Sequence, residues 1–248
     1  MLKIIGTRLN QGMRTTPWPK KPVTLAASYR GLPRLNDQCD AAIIGQCAEQ
    51  CPQQAIDAAA KTIDLGRCVF CGDCAGDFVR FTNDFRLGCA ARSDLITAGD
   101  LPDLASRAKE QWRKLFGRSL QIRQVSAGGC NACEADTNVL GTPFFDLSRF
   151  GIDFVASPRH ADALHVTGPI SKNMKSALLD TYAAMPEPKA VIAAGCCAIS
   201  GGPFYGSEEI IGDLNSLIPV DLYIPGCPPH PMSTLHALVT FFKGRAER

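Results

Sequence analysis

Leu120-Gln121-Ile122-Arg123-Gln124-Val125-Ser126-Ala127-Gly128-Gly129-Cys130-Asn131-Ala132-Cys133-Glu134 is a strand-like apolar run that empties into a glycine turn carrying two thiols. From Leu120 onward, short β-branched or aliphatic runs alternate with helical stretches, the pattern of a parallel sheet with crossovers. Strands are expected at 120–125, 152–156, 163–167, 190–194 and 220–224, and helices at 171–184 and 233–242. In open α/β sheets ligands gather outside the carboxyl ends of the strands. Cys130, Cys197 and Cys227 each follow an expected strand at that end, so positions far apart in sequence can converge there.

The Cys130-x-x-Cys133 pair alone does not choose between a redox dithiol, half a zinc site and half an iron-sulfur site. Two later turns tip the balance towards a cluster. Gly195-Cys196-Cys197-Ala198-Ile199-Ser200-Gly201-Gly202 supplies a third thiol and Ile224-Pro225-Gly226-Cys227-Pro228-Pro229 a fourth. The glycines let backbone N–H groups approach the sulfurs.

These turns, together with Ala161-Asp162-Ala163-Leu164-His165-Val166-Thr167-Gly168-Pro169-Ile170-Ser171 and Val220-Asp221-Leu222-Tyr223-Ile224, resemble the small-subunit family shared by nickel-iron hydrogenases and the cluster-bearing subunit of respiratory complex I. The likeness runs from about Leu120 to Lys243. It implies a flavodoxin-like α/β domain in which Cys130, Cys133, Cys197 and Cys227 hold one [4Fe-4S] cluster. Complex I subunits place adjacent cysteines at the first motif, whereas Asn131 and Ala132 separate Cys130 from Cys133 here, as in the hydrogenase branch. The family pattern Cys-Ala-x-x-Gly-Gly makes Cys197 the ligand and leaves Cys196 as a small packed residue. Glu134 is expected to act structurally, although a proton relay is the competing role. His160, His165, His230 and His236 are scattered singly and are expected to be packed or at the surface.

Seven cysteines fall in residues 37–92, where Cys68-x-x-Cys71-x-x-Cys74 is the core of a bacterial ferredoxin motif and Cys47-x-x-x-Cys51-Pro52 the tail of another. In two-cluster ferredoxins the cysteine before proline ligates the other cluster, so Cys51 is expected to complete a [4Fe-4S] set with Cys68, Cys71 and Cys74. Tyr29-Arg30-Gly31-Leu32-Pro33 followed by this segment resembles the polyferredoxin-like subunit of formate hydrogenlyase, which implies a small ferredoxin-like α+β domain fused ahead of the first-named one. The chain departs from that pattern near Ala42 and at Phe78, where a second cluster needs thiolates. A third, [3Fe-4S]-type site on Cys39, Cys47 and Cys89 is not expected, because Cys89 lies beyond the close spacing of such motifs.

The expected organisation is an extended basic arm over 1–36, a ferredoxin-like iron-sulfur domain over 37–92, a linker helix over 93–118 and the hydrogenase-small-subunit-like domain over 119–248. The arm carries seven Lys or Arg and no acid, and its prolines disfavour an amphipathic targeting helix. It is expected to need a partner to order it. Twelve cysteines in 248 residues suit metal ligation better than a disulfide scaffold. A net charge of +2 gives no ground for nucleic-acid binding, and no apolar run is long enough to span a membrane.

By resemblance, the chain would be an electron-transfer subunit with no complete active site, of a formate-hydrogenlyase-like hydrogenase complex. Its partners would be a hydrogenase-type large subunit, membrane subunits and an electron donor or acceptor protein. It would sit on the cytoplasmic side, peripheral to the inner membrane, since exported small subunits carry a twin-arginine leader. A complex I-like quinone oxidoreductase subunit is the alternative with the same chemistry; a non-redox zinc protein and a thiol-disulfide oxidoreductase are alternatives with different chemistry.

Overall fold

The computed structural model describes residues 2–108 and 110–244. In chain order the elements are α1 (Leu2–Gln11), β1 (Pro33–Leu35), α2 (Ala41–Gln50), β2 (Ile56–Asp57), β3 (Thr62–Asp64), β4 (Val79–Phe81), β5 (Ile96–Thr97), α3 (Leu104–Arg107), α4 (Glu110–Phe116), β6 (Leu120–Ser126), α5 (Ala132–Val139), β7 (Ile152–Phe154), β8 (Ala163–Thr167), α6 (Lys175–Ala184), β9 (Ala190–Ala194), α7 (Cys196–Ser200), β10 (Leu222–Ile224) and α8 (Pro231–Lys243).

The second half is a parallel sheet in the order β10-β9-β8-β6-β7. Counted from β6, this is the doubly wound order 2-1-3-4-5, with its switch point between β6 and β8. Every residue of β8 and β9 is buried, His165 and Thr167 of β8 included, because both faces are covered, as parallel sheets require; in β9 this matches a wholly apolar run. α8 lies buried along almost its whole length, with Leu235, Leu238, Phe241 and Phe242 packed into the core that takes in Leu120, Ile122, Ile192 and Leu222. Among the described residues no helix is long and apolar enough to cross a membrane.

The first half is built of small antiparallel pieces, β1 on β4 and β2-β3-β5, with α2 beside them. It has no core separate from the sheet domain. Ile44, Ile63, Leu65, Phe78 and Leu87 belong to the same apolar cluster as Val166, Ala198, Ile199 and Tyr223. Cys89 and Tyr223 join the halves through reciprocal backbone hydrogen bonds of 2.9 and 2.8 Å.

Three expectations are corrected. The start of the arm is helical rather than extended at Leu2–Gln11, because its first proline comes only at Pro17 and nothing before Gly12 breaks a helix. The arm is also ordered by the chain itself. Trp18 is 1% exposed and packs on the Phe150 and His236 rings, while Arg149 donates to the Thr16 and Trp18 carbonyls at 2.9 and 2.8 Å. The linker is not one helix: β5 precedes α3 and α4, and α3 stops where Ala108 turns to extended backbone. Asp103 does cap α3 as an N-terminal acid should, accepting from Ala105 N and Ser106 N.

Trp18→Ala is expected to destabilise the chain by about 3–5 kcal/mol, the usual cost of truncating a buried tryptophan. Urea denaturation of the two proteins checks this; an unchanged midpoint would mean that the arm is not part of the core.

Candidate metal centres

Three loops meet at the carboxyl edge of the parallel sheet. β6 runs into Gly128 (φ +92°) and Gly129, and Asn131, itself left-handed at φ 72°, precedes α5, so that Cys130 and Cys133 bracket the helix start. β9 runs into Gly195 (φ +88°) and then α7, which opens with Cys196 and Cys197. β10 runs into Gly226 and Cys227. Gly195 N donates to Ile224 O and Cys196 N to Gly226 O, both at 2.9 Å, and these bonds lash the second loop to the third.

Two glycines make room for the sulfurs. A Cβ on Gly195 would meet Cys133 Sγ at 2.9 Å, and one on Gly202 would meet both Cys196 Sγ and Cys197 Sγ at 2.9 Å. The four expected thiols differ in depth: Cys197 is buried, Cys133 half-buried, and Cys130 and Cys227 are exposed at the rim. Burial pushes the Cys133 thiol up, and Cys197, Glu134, Cys227 and Cys130 around it add to the shift. Cys227 is held down to about 7 and Cys197 is lowered, in both cases chiefly by hydrogen bonding from Cys196, which is itself raised. Cys196 is 1% exposed, a packed thiol whose ionisation is disfavoured by hydrogen bonding to Cys197 and Cys227 and by burial.

Glu134 and His165 sit beside this group. Burial raises the Glu134 carboxyl, but hydrogen bonds from Ser126 and Thr167 outweigh it and the net shift is downward; Thr167 Oγ1 lies 2.6 Å from Glu134 Oε1. His165, wholly buried in β8, has no hydrogen-bond partner for either ring nitrogen among the described residues and rests edge-on against Phe154. Burial lowers it to about 4, against a smaller upward pull from Glu134. The sequence places this histidine but not its isolation. His230 instead caps α8, its Nδ1 accepting from Met232 N at 3.1 Å.

The second group forms in the first half. Cys51 ends α2, and Cys68, Cys71 and Cys74 follow on a loop that turns at Phe70 (φ 55°) and Gly72 (φ +89°). All four line one small, partly open cavity, together with Ile56, Ile63 and Phe81, with Cys71 at its exposed side. Ala55 N donates to Cys51 Sγ and Phe70 N to Cys68 Sγ, each at 3.3 Å, the N–H to sulfur contacts that cluster thiolates use. Burial raises Cys68 to about 12 and Cys74 to about 11, and the neighbouring thiols add to both shifts.

Cys39, Cys47 and Cys89 do not form a third group. Cys47 feels Cys39, but Cys89 is buried in the seam between the halves with its thiol directed at the Leu87 and Asp94 carbonyls, 3.7 Å from each. Phe78 is 1% exposed and packed in the apolar cluster shared by the two halves. Among the described residues no three His, Cys, Asp or Glu side chains are disposed to hold a single metal ion. The donor set is nonetheless two groups of sulfur around glycine-lined or apolar space, which fits polynuclear iron-sulfur cores.

Residues 130–241 match the family described as NADH ubiquinone oxidoreductase, 20 kDa subunit. A probable membrane-bound hydrogenase subunit mbhJ of Pyrococcus furiosus is 43% identical over 126 residues, 51% of this chain and 75% of that protein. Formate hydrogenlyase subunit 7 of Escherichia coli K12 is 44% identical over 123 residues, 50% of this chain and 48% of its own length. An NADH-quinone oxidoreductase subunit of a Roseiflexus species is 45% identical over 129 residues, covering 52% and 48%. This chain thus spans about half the length of the latter two relatives. In a solved structure of an archaeal membrane-bound sulfane sulfur reductase, one chain aligns with 54% of this chain and 76% of its own at 32% identity, with a TM-score of 0.47.

His165→Leu is expected to stabilise the fold, because it removes two buried nitrogens that have no partner. The gain should be larger in acid. The folded protein refuses His165 a proton down to about pH 4, whereas the unfolded chain accepts one near 6.5. Stability therefore falls as pH drops through that window, and the leucine variant escapes the loss. Its advantage in denaturant unfolding should be about 2 kcal/mol greater at pH 5 than at pH 8. An advantage that does not vary with pH would show that His165 is not held neutral.

Proposed function

The chain belongs to the NADH ubiquinone oxidoreductase 20 kDa subunit family, and we propose that within it this protein is an electron-transfer subunit of a membrane-associated hydrogenase complex of the formate-hydrogenlyase kind. The observation that carries the reading is the convergence of Cys130, Cys133, Cys197 and Cys227 on one edge of the sheet, from three loops spread across the second half of the chain. Those four thiolates would hold one [4Fe-4S] cluster, and Cys51, Cys68, Cys71 and Cys74 a second. Bound there, the clusters supply reversible one-electron exchange.

The chain's own residues prepare both sites. Gly195 and Gly202 keep Cβ atoms out of the space beside Cys133 and Cys197. Cys196 donates towards Cys197 and Cys227, favouring the deprotonated state that metal ligation needs. In the first half Ile56, Ile63 and Phe81 exclude water around the ferredoxin-like set, and the amides of Ala55 and Phe70 point at sulfur. Residues 37–92 would serve as the ferredoxin-like unit that meets a donor or acceptor protein. Residues 119–248 would face a hydrogenase-type large subunit, and membrane subunits would hold the assembly at the cytoplasmic face of the inner membrane.

The spacing of Cys130 and Cys133 favours the hydrogenase branch. A quinone-reducing partner is the second reading, supported by the 45% identity to the Roseiflexus NADH-quinone oxidoreductase subunit. The cysteines of the large subunit encoded alongside separate the two, because only a hydrogenase partner needs thiolates for nickel.

Anaerobically purified protein should contain iron and acid-labile sulfide in amounts near those of two [4Fe-4S] clusters; zinc in place of iron would overturn the electron-transfer reading. Cys197→Ser should remove the paramagnetic signal of one reduced cluster and Cys74→Ser that of the other, while Cys196→Ser keeps both. Loss of the same signal in Cys196→Ser as in Cys197→Ser would show the ligand assignment to be wrong.

A further inference from the structure

A short bridge joins the two cysteine groups. Gly66 lies two residues before Cys68, and Ser200 three residues after Cys197. Ser200 Oγ donates to Gly66 O at 2.8 Å, with Cys196 O a longer 3.1 Å away. Gly66 is buried, and a Cβ there would meet Ile199 Cγ2 at 2.7 Å and Arg92 Cζ at 3.0 Å, so the first loop touches α7 through bare backbone. The Gly66 side of the bridge is stiff. Gly66 N donates to Asp64 Oδ1 at 2.8 Å, and Asp64 takes a two-pronged ion pair from Arg92 at 2.8 and 2.6 Å. Cys68 N is tied to Asp64 O at 2.9 Å. On the other side Ile199 is 1% exposed and packed in the core shared by the two halves.

Resting on the cluster assignments above, we propose that Ser200 is a positioning residue that fixes the separation of the two clusters by clamping the Cys68 loop onto the helix that bears Cys197. Ser200 touches neither sulfur group as a ligand. Its hydroxyl holds the backbone of one cluster loop against the helix of the other. Asp64 and Arg92 keep the clamped carbonyl from yielding, and Gly66 supplies the absence of a side chain that lets the two come so close. Electron exchange and magnetic coupling between two centres both fall with distance, so loosening of this contact is read through both.

The test uses the full chain loaded with iron and sulfide and fully reduced, in the native protein and in Ser200→Ala, Ser200→Thr and Gly66→Ala. The readouts are metal content, the reduction potential and g-values of each centre, and the splitting of their paramagnetic signals by mutual coupling. Ser200→Ala and Gly66→Ala are expected to narrow the splitting with the potentials and g-values of each centre unchanged. Ser200→Thr, which keeps the hydroxyl, should retain it. Native splitting in both Ser200→Ala and Gly66→Ala would overturn the clamp, as would a narrowing accompanied by changed potentials, which marks a general disturbance of the sites. Fewer than two clusters in the native chain would instead overturn the cluster assignments themselves, before any variant is compared.

Discussion

Thiols crowded into apolar surroundings resist ionisation, and this constraint governs the rest of the molecule. Cys68 and Cys74 are raised to about 12 and about 11, and Cys133 is raised too, by burial and by one another. Such groups stay protonated near neutrality unless a positive core compensates them, so the sulfur sites are poised to couple metal binding to proton release. The sheet-edge site eases part of that conflict internally. Cys196 gives its hydrogen bond to Cys197 and Cys227, and these two fall while the donor rises.

Parallel pairing then decides where the thiols stand. Because β6, β8, β9 and β10 all run the same way, their carboxyl ends share one edge, and the loops after β6, β9 and β10 meet there although Cys133 and Cys197 are 64 positions apart. This much is legible in the sequence. β8 and β9 have the expected bounds because both of their faces are covered, which leaves an uninterrupted apolar run in β9 and, in β8, one broken only by His165 before Thr167. β7 and β10, at the two edges of the sheet, are shorter than expected; each has one neighbour to extend its ladder.

What the sequence hides is either short or non-local. α7 has five residues between glycines, and its apolar letters match those of a turn. α2 lies among cysteines in a segment for which no particular helix is expected, although Asp40 just before it is an N-cap residue type and its side chain does accept from Ala42 N. The seclusion of His165 depends on Phe154 and Glu134 being brought to it by other elements, and the burial of Trp18 on Phe150 and His236, more than a hundred positions away. The place of Cys89 is likewise settled by pairing with Tyr223, which separates it from Cys39 and Cys47 despite a count of cysteines that invites a third group.

The common core has a consequence for how the two sulfur groups work together. Segments that fold separately and meet through a polar interface can shift relative to each other, whereas Leu65, Leu87, Ala198, Ile199 and Tyr223 form one packed cluster here. Close packing transmits displacement instead of absorbing it, so the distance between the groups is a property of the fold and not of a docking equilibrium. The covalent link reinforces this by replacing association between separate chains with an intramolecular contact at high effective concentration.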